Sequence, residues 1–463
     1  MEGPIPVSPT IARHVMAVPY PGRGHVNPMM NLCKLLVSKN PNILVTFVVT
    51  EEWLGFVGSD PKPDNIKFAS IPNVIPSEHN RANDFVNFLQ AVMTKMEAPF
   101  DHLLHRLDLP PTMIIYDTYL FWVVRVANRR SIPVASFFPM SASFFSLLTH
   151  YRLLDQNGHY PVNVSEGEKR VDYIPGNTSI RLADFPNNDG SWQSRKLLQM
   201  SLDIIPWVHK AQYLLFSSVY ELEPKAIDAL KAEFSIPIYT IAPVIPYCGN
   251  GQIDGSLSTN HADLGYFQWL DNQPSGSVLY ISQGSFLSVS SEQIDEIAAG
   301  LRDSGVRFLW IARLETSRLK ELCGDSGLVL PWCDQLRVLQ HPAIGGFWSH
   351  CGWNSTKEGI FSAVPFLTSP ILMDQPLNSK YIVEDWKIGW RVNEEVQQNT
   401  LIKRDEIASL VKKFMDLGSD EARDMRKRAR ELQQLCRNAS ASGGSSETNM
   451  NAFLGHILHV AKP

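Results

Sequence analysis

Between Trp332 and Gln375 the chain gathers Trp332, Gln335, His350, Trp353, Asn354, Ser355, Glu358, Asp374 and Gln375 into one short segment. An indole can stack on a base. Imidazole, amide and hydroxyl groups can bind a phosphate, and carboxylates and amides can clasp sugar hydroxyls. A segment built only for packing would not set so many polar groups around apolar strand-like and helix-like patches.

The local pattern supplies elements to hold these groups. Ala343 to Trp348 (AIGGFW) is an apolar run with the length of a buried strand. Ser349 to Asn354 (SHCGWN) reads as a turn with a glycine hinge, and Ser355 with Glu358 fits a capping box opening a helix. Strand, tight turn and helix N-terminus form a geometry that binds phosphate, because the first N–H groups lack intrahelical partners and the dipole there is positive. His350, Asn354 and Ser355 would sit at that end. The bland alternative is an ordinary capped helix with a satisfied histidine.

A second set lies far away in sequence. His25 follows the first predicted strand, His14 to Pro19, at the start of a helix expected from about 26 to 38 with Pro28 in its first turn. Asp117 closes Ile114-Ile-Tyr-Asp, another buried strand. In open α/β sheets the carboxyl ends of strands are where ligands bind. A histidine titrates near working pH and can take a proton from a hydroxyl, and an aspartate can hold its other ring nitrogen. The competing readings are a structural histidine and a strand-terminal turn cap.

The segment resembles the signature box of plant UDP-dependent glycosyltransferases, the family-1 enzymes. The match runs through Trp332, Gln335, His341-Pro342, His350 to Ser355, Glu358, Pro365 and Asp374-Gln375 at the family's spacing. The resemblance implies the α/β GT-B fold, two Rossmann-like doubly wound domains facing across a cleft. It also implies roles. Trp332 would stack on uracil, Gln335 and Glu358 would hold the ribose, and His350, Asn354, Ser355 and Ser285 would take the diphosphate. Cys333 would join the UDP-binding set, while Trp353, Asp374 and Gln375 would contact the sugar. Gly22-Arg23-Gly24-His25-x-x-Pro28 resembles the family's catalytic histidine site, with Asp117 as partner. Glu358 thus has two readings, a cap partner locally and a ribose ligand by resemblance; a carboxylate suits two vicinal hydroxyls.

The implied reaction is direct displacement at the anomeric carbon with inversion, with UDP-glucose as co-substrate and no cofactor. No Asp-x-Asp triplet occurs, in agreement with metal-independent chemistry. Gln375 resembles glucose-using members; UDP-xylose, UDP-galactose or UDP-arabinose as donor, or a nucleotide-sugar-binding protein without catalysis, are the alternatives. The acceptor would be a small lipophilic phenol, flavonoid, terpenoid or hormone-like molecule. Phe121, Trp122, Phe137, Phe144, Phe145, Phe185 and Trp192 are candidates to line its pocket, most of them as plain core. Gln283 stands where most relatives have phenylalanine, and Ala363, Lys357 and Met373 are further departures. Gly22-x-Gly24-x-x-Asn27 with Glu51 mimics a dinucleotide fingerprint, but Asn27 replaces the third glycine.

At 463 residues the chain calls for two domains. Hydrophobic content of 44%, charged content of 19% and a net charge of −5 describe a globular protein without a nucleic-acid-binding surface. The start of the chain lacks the pattern of a signal peptide, and no stretch is long enough to span a bilayer. Six scattered cysteines read as free thiols of a reducing compartment. A cytosolic monomer without stable membrane insertion is expected. Strands at 43–50, 113–116, 134–138 and 239–244 fill residues 1–245, an N-terminal acceptor-binding domain. A Gly/Asn/Ser-rich linker takes 246–262. Strands at 278–282 and 308–312, a helix from about 292 to 303 and a charged helical region at 405–435 belong to a UDP-sugar domain, 263–442. The helix in 443–463 is implied by the resemblance to cross back to the first domain. Matches at Gly176 to Pro186, Leu215 to Leu222 and Trp269 to Pro274 extend the resemblance over nearly the whole chain.

Overall fold

A computed structural model describes residues 13–162, 166–186, 191–242, 264–284, 290–312, 316–393 and 401–459. The expected linker at 246–262 and Ser285 lie outside the described residues. The chain divides into two compact units. The first comprises Met1–Thr149, Lys196–Ser258 and Ala439–Pro463; the second comprises His150–Arg195 and Thr259–Asn438.

Fifteen strands appear in chain order among the described residues. They are β1 (Arg13–Val18), β2 (Ile43–Thr50), β3 (Ile66–Ile71), β4 (Met113–Asp117), β5 (Val134–Phe138), β6 (Arg170–Val171), β7 (Ile180–Arg181), β8 (Tyr213–Ser217) and β9 (Ile238–Ile241), then β10 (Val278–Ser282), β11 (Arg307–Ile311), β12 (Gly327–Leu330), β13 (Ile344–Ser349), β14 (Phe366–Thr368) and β15 (Gly389–Arg391). The first unit carries a parallel sheet in the order β3-β2-β1-β4-β5-β8-β9. The second carries a parallel sheet in the order β12-β11-β10-β13-β14-β15 and the antiparallel pair β6-β7. Both large sheets are doubly wound. Their central strands are near-continuous apolar runs because helices cover both faces.

Strand order reverses beside β1 and β4 in the first sheet and beside β10 and β13 in the second. Such switch points leave a crevice at the carboxyl ends of the strands. Register aligns those ends: Val18 pairs with Tyr116, Ser282 with Ser349, and Ser349 with Thr368.

The helix after β1 begins at Arg23, three residues earlier than the apolar periodicity suggests, and runs to Lys39. Gly22 is its N-cap, and its carbonyl accepts from the N–H of His25 at 2.9 Å and of Val26 at 2.8 Å. Pro28 therefore lies in the second turn and not the first. A Cβ at Gly22 would lie 2.6 Å from Nη1 of the buried Arg81, so the guanidinium would have to shift to admit one. This helix packs Val26, Met29, Leu32, Cys33 and Leu36 on Val15, Val45, Phe47 and Ile115. The helix Ser445–His459 adds Met450, Phe453 and Ile457 to the same core.

In the second unit, Leu279, Ile281, Phe308, Trp310 and Trp348 pack against Ile297, Leu301, Ile407, Val411 and Phe414. The charged region expected as one helical stretch is two helices, Arg404–Met415 and Asp420–Ser440. Asp416 ends the first by accepting the Gly418 N–H on its own side chain, at 2.9 Å. No helix among the described residues is long and apolar enough to cross a membrane.

Candidate active site

In the first unit, the switch point brings His25 and Asp117 together. Nδ1 of His25 lies 2.7 Å from Oδ2 of Asp117, whose side chain is fully buried while that of His25 is 20% exposed. A carboxylate oxygen only accepts, so Nδ1 carries the proton and Nε2 keeps its lone pair. The other carboxylate oxygen accepts the Tyr119 N–H at 3.1 Å. Asp117 is thus both turn cap and histidine partner, and the two readings of it coexist. The imidazole is further confined by the rings of Tyr20 and Tyr119, at centroid distances of 4.8 and 6.2 Å. The chemistry this arrangement offers is proton uptake at Nε2, with the resulting imidazolium held by a buried negative charge.

In the second unit, the turn after β13 is fixed by a set of short polar contacts. Cys351 adopts a left-handed backbone (φ 66°), and Ser349 Oγ accepts its N–H at 3.0 Å. Its carbonyl accepts from Asn378 Nδ2 at 2.9 Å and from Thr356 Oγ1 at 3.3 Å. The chain has therefore already turned by Gly352, which caps a helix spanning Trp353–Phe361. This corrects the expected capping box. Ser355 is the third residue of the helix and not its cap, and the side chain of Glu358 is not spent on the helix start.

Glu358 instead meets Gln335. The amide Nε2 of Gln335 donates to Glu358 Oε2 at 2.7 Å and to Ser355 Oγ at 3.0 Å. Burial pushes the Glu358 carboxyl up to about 7, against the smaller pull of Gln335 and Lys357. Trp332, three residues before Gln335, is 51% exposed and leaves an indole face open for stacking. Cys333 is buried, with Sγ 3.4 Å from the hydroxyl of Tyr280.

His350 precedes the turn. Its ring lies between two glycines: a Cβ on Gly352 would sit 2.5 Å from Nε2, and one on Gly284 (φ 95°) would sit 3.0 Å away. Burial lowers its pKa to about 4, so the imidazole is neutral at working pH. Asn354 and Ser355 stand in the first turn of the Trp353–Phe361 helix, where N–H groups and dipole favour an anion.

Asp374 and Gln375 are buried at the start of the helix Gln375–Lys380. Asn378 donates to Asp374 Oδ2 at 2.8 Å and so ties it to the Cys351 turn. The side-chain carbonyl of Gln375 accepts the N–H groups of Ile371 at 2.8 Å and Leu372 at 3.1 Å. Its oxygen holds the loop, which leaves the amide nitrogen as its contribution to a ligand.

These two sets of side chains invite comparison with known proteins. A family described as UDP-glucoronosyl and UDP-glucosyl transferase matches residues 139–413. The chain belongs to this family. It is 52% identical to UDP-glycosyltransferase 87A1 of Arabidopsis thaliana, over 96% of this chain and 100% of that protein. Among solved structures it matches Medicago truncatula UGT71G1 complexed with UDP-glucose, with a TM-score of 0.80 and 26% identity, covering 96% of this chain and 98% of that one. It also matches Phytolacca americana UGT2 complexed with UDP-2fluoro-glucose and pterostilbene, with a TM-score of 0.78 and 27% identity, covering 96% and 99%. The protein is a plant-type UDP-glycosyltransferase of GT-B fold.

Within this glycosyltransferase the aromatic candidates for an acceptor pocket divide sharply. Trp122, Phe137, Phe144, Phe145 and Phe185 are buried core, whereas Trp192 is 60% exposed. Phe121 stacks on Trp207 at 5.4 Å under the Arg125 guanidinium. Sequence reasoning missed Tyr280 and Asn378. Tyr280 sits in an apolar strand where an aromatic reads as core, and Asn378 lies on a short helix without a motif of its own. His341, part of the sequence match, bridges Asp271 at 3.1 Å and accepts the Ala343 N–H at 3.2 Å, a turn-holding arrangement.

Proposed function

We propose that this enzyme transfers glucose from UDP-glucose to a hydroxyl or carboxyl group of a small lipophilic acceptor, with inversion at the anomeric carbon. The observation that carries the reading is the His25–Asp117 pair, 2.7 Å apart with the carboxylate fully buried. An acceptor hydroxyl is a weak nucleophile until its proton leaves, and Nε2 of His25 takes that proton as the oxygen attacks C1 of the sugar. The bond from C1 to the β-phosphate oxygen breaks, and UDP departs with the electron pair. Asp117 offsets the charge formed on the imidazole.

On the donor side, Trp332 stacks on uracil, with Cys333 beside it, and Gln335 and Glu358 receive the ribose hydroxyls. The N-terminus of the Trp353–Phe361 helix, with Asn354, Ser355 and the neutral His350, meets the charge that builds on the leaving diphosphate. Ser285 joins this set by its place in the motif. Trp353, Asp374 and the Gln375 amide nitrogen bind the sugar. Side chains and helix dipole carry the electrostatic work, with UDP-glucose as co-substrate and no cofactor. The five described cysteines are free and buried, which supports placing the reaction in the cytosol.

UDP-sugars screened against phenols, terpenoids and carboxylic acids, with products read by mass, test the proposal. Wild type is expected to yield a glucosylated product. His25→Ala is expected to abolish transfer while UDP affinity stays within about twofold, since the histidine touches no nucleotide atom in this scheme. Full turnover by His25→Ala overturns the base; a preference for another UDP-sugar overturns the donor.

A further inference from the structure

The hydrogen-bond chain behind the donor cradle assigns a role to a residue outside the signature segment. Tyr280, on β10, is fully buried, and its hydroxyl donates to Gln335 Oε1 at 3.1 Å. An amide oxygen only accepts, so the single phenol proton is committed to that bond. The 3.4 Å contact to Cys333 Sγ is then made by the thiol proton, donated to the phenol oxygen. The polar chain runs in one direction: thiol to phenol, phenol to amide carbonyl, amide N–H to Glu358 and Ser355.

Counting protons along it shows what the cradle has left for a ligand. Both N–H bonds of the Gln335 amide are used, one on Glu358 Oε2 and one on Ser355 Oγ. Gln335 Oε1 keeps one lone pair. Glu358 Oε1 makes no hydrogen bond among the described residues. With Glu358 ionised, Gln335 Oε1 and Glu358 Oε1 therefore offer two acceptors, the complement of two vicinal hydroxyls that each bring a proton. A 2′-deoxyribose brings only one.

Glu358 alone does not secure this arrangement. With its carboxyl pushed up to about 7, a large share is protonated at neutral pH, and a protonated carboxyl can donate to a reversed amide. Reversal would turn the Gln335 nitrogen to the ligand and replace an acceptor by a donor. Reversal would bring the amide N–H to the phenol oxygen and turn the phenol proton to Cys333 Sγ, a weaker acceptor than an amide carbonyl. The Tyr280 hydroxyl therefore favours the orientation shown wherever it is protonated, and burial holds its pKa far above neutrality.

We propose that Tyr280 is a positioning residue that fixes the orientation of the Gln335 amide and thereby makes the donor site select ribonucleotides over 2′-deoxyribonucleotides. The inference rests on the donor reading given above and deepens it.

Titration calorimetry with UDP and with 2′-deoxy-UDP at pH 7 tests it, on wild type and Tyr280→Phe. Tyr280→Phe keeps the ring that fills the core. The expected result is a clear wild-type preference for UDP that falls roughly 3- to 10-fold in Tyr280→Phe, through weaker UDP binding with 2′-deoxy-UDP nearly unchanged. In a Gln335→Leu background Tyr280→Phe has no further effect on the ratio. Equal loss for both nucleotides in Tyr280→Phe, or no change in the ratio, overturns the inference while leaving the donor reading intact, provided wild type binds UDP and Trp332→Ala weakens it. Binding of neither nucleotide by wild type overturns the donor reading, and the inference with it.

Discussion

Replacing Glu358 by Gln isolates a carboxyl group whose charge is opposed by burial and favoured by the ligand proposed to sit on it. Its folded value of about 7 stands against an ordinary 4.5. That gap of about 2.5 pH units corresponds to about 3.4 kcal/mol, and partial solvent contact of the residue trims this to about 2–3 kcal/mol. The sign follows from proton counts. Below pH 4.5 both folded and unfolded chains hold the proton. Between 4.5 and 7 the unfolded chain has lost it and the folded chain keeps it, so stability falls as pH rises across that window and is level above 7. Ligand binding runs the other way. Two ribose hydroxyls donating to the cradle favour the carboxylate, so UDP-glucose binding expels a proton and strengthens as pH climbs toward 7. At pH 6 about a tenth of the free enzyme carries the carboxylate, and affinity is expected to be about tenfold below that at pH 8. His350, held at about 4, stays neutral throughout this range and adds no slope. Calorimetry with UDP-glucose at pH 6, 7 and 8, repeated in buffers of different ionisation enthalpy, reads both affinity and the released proton. Glu358→Gln is expected to bind about tenfold more weakly at pH 8 and to lose the slope, since it gives up a charge-assisted bond. A wild-type affinity flat from pH 6 to 8, or a slope retained in Glu358→Gln, refutes the reasoning.

Three further outcomes are expected. Asp117→Asn preserves shape but removes the charge that holds Nδ1–H of His25; kcat should fall by about 10²- to 10⁴-fold with UDP affinity unchanged, as steady-state kinetics and calorimetry will read. Gln375→Glu keeps an oxygen for the Ile371 and Leu372 N–H groups but loses the amide donor. Transfer from UDP-glucose should drop about tenfold without loss of melting temperature, whereas Gln375→Ala should lose both. Glu223 is buried and accepts the Ala142 N–H, the Ser143 N–H and the Ser218 hydroxyl at 3.2, 2.8 and 2.5 Å. Glu223→Gln swaps one of those acceptor oxygens for a donor and should cost about 1–3 kcal/mol in denaturant unfolding, with donor binding unaffected.

The fold class was legible because the central strands, such as Ile43–Thr50 and Val278–Ser282, are short near-continuous apolar runs containing β-branched residues, the pattern of a parallel sheet covered on both faces. Strands of three or four residues, such as Phe366–Thr368 and Gly389–Arg391, carry too little pattern to be seen and exist through their neighbours' ladders. In the site, residue types revealed which groups could bind, but not how they pair. The Ser355/Glu358 spacing is a true capping-box pattern. It is overruled because Ser349 and Asn378, outside the helix, and Thr356 within it turn the chain so that the cap falls three residues earlier, at Gly352. Likewise the Gln375 amide was legible as a ligand, whereas its use as a loop latch depends on where the Ile371 and Leu372 N–H groups fall in space. Periodicity gives no account of either, since both are settled by contacts between segments.

The helix Ser445–His459 buries Met450, Phe453 and Ile457 in the core that β1 and β2 begin. Burying a side chain the size of Phe453 is worth roughly 1.5–3 kcal/mol, and three such side chains rival the net stability of a domain. During synthesis this piece emerges after the whole of the second unit has been made. The unit that starts the chain thus cannot close its core first, and the usual order of N-terminal before C-terminal maturation is reversed. A premature stop just before Ser445 would leave the second unit with its own core complete and strand the first one half-built, exposing apolar surface to chaperones and proteases. Such a product should therefore be recognised by the cell as a folding failure even though every proposed site residue is present in it.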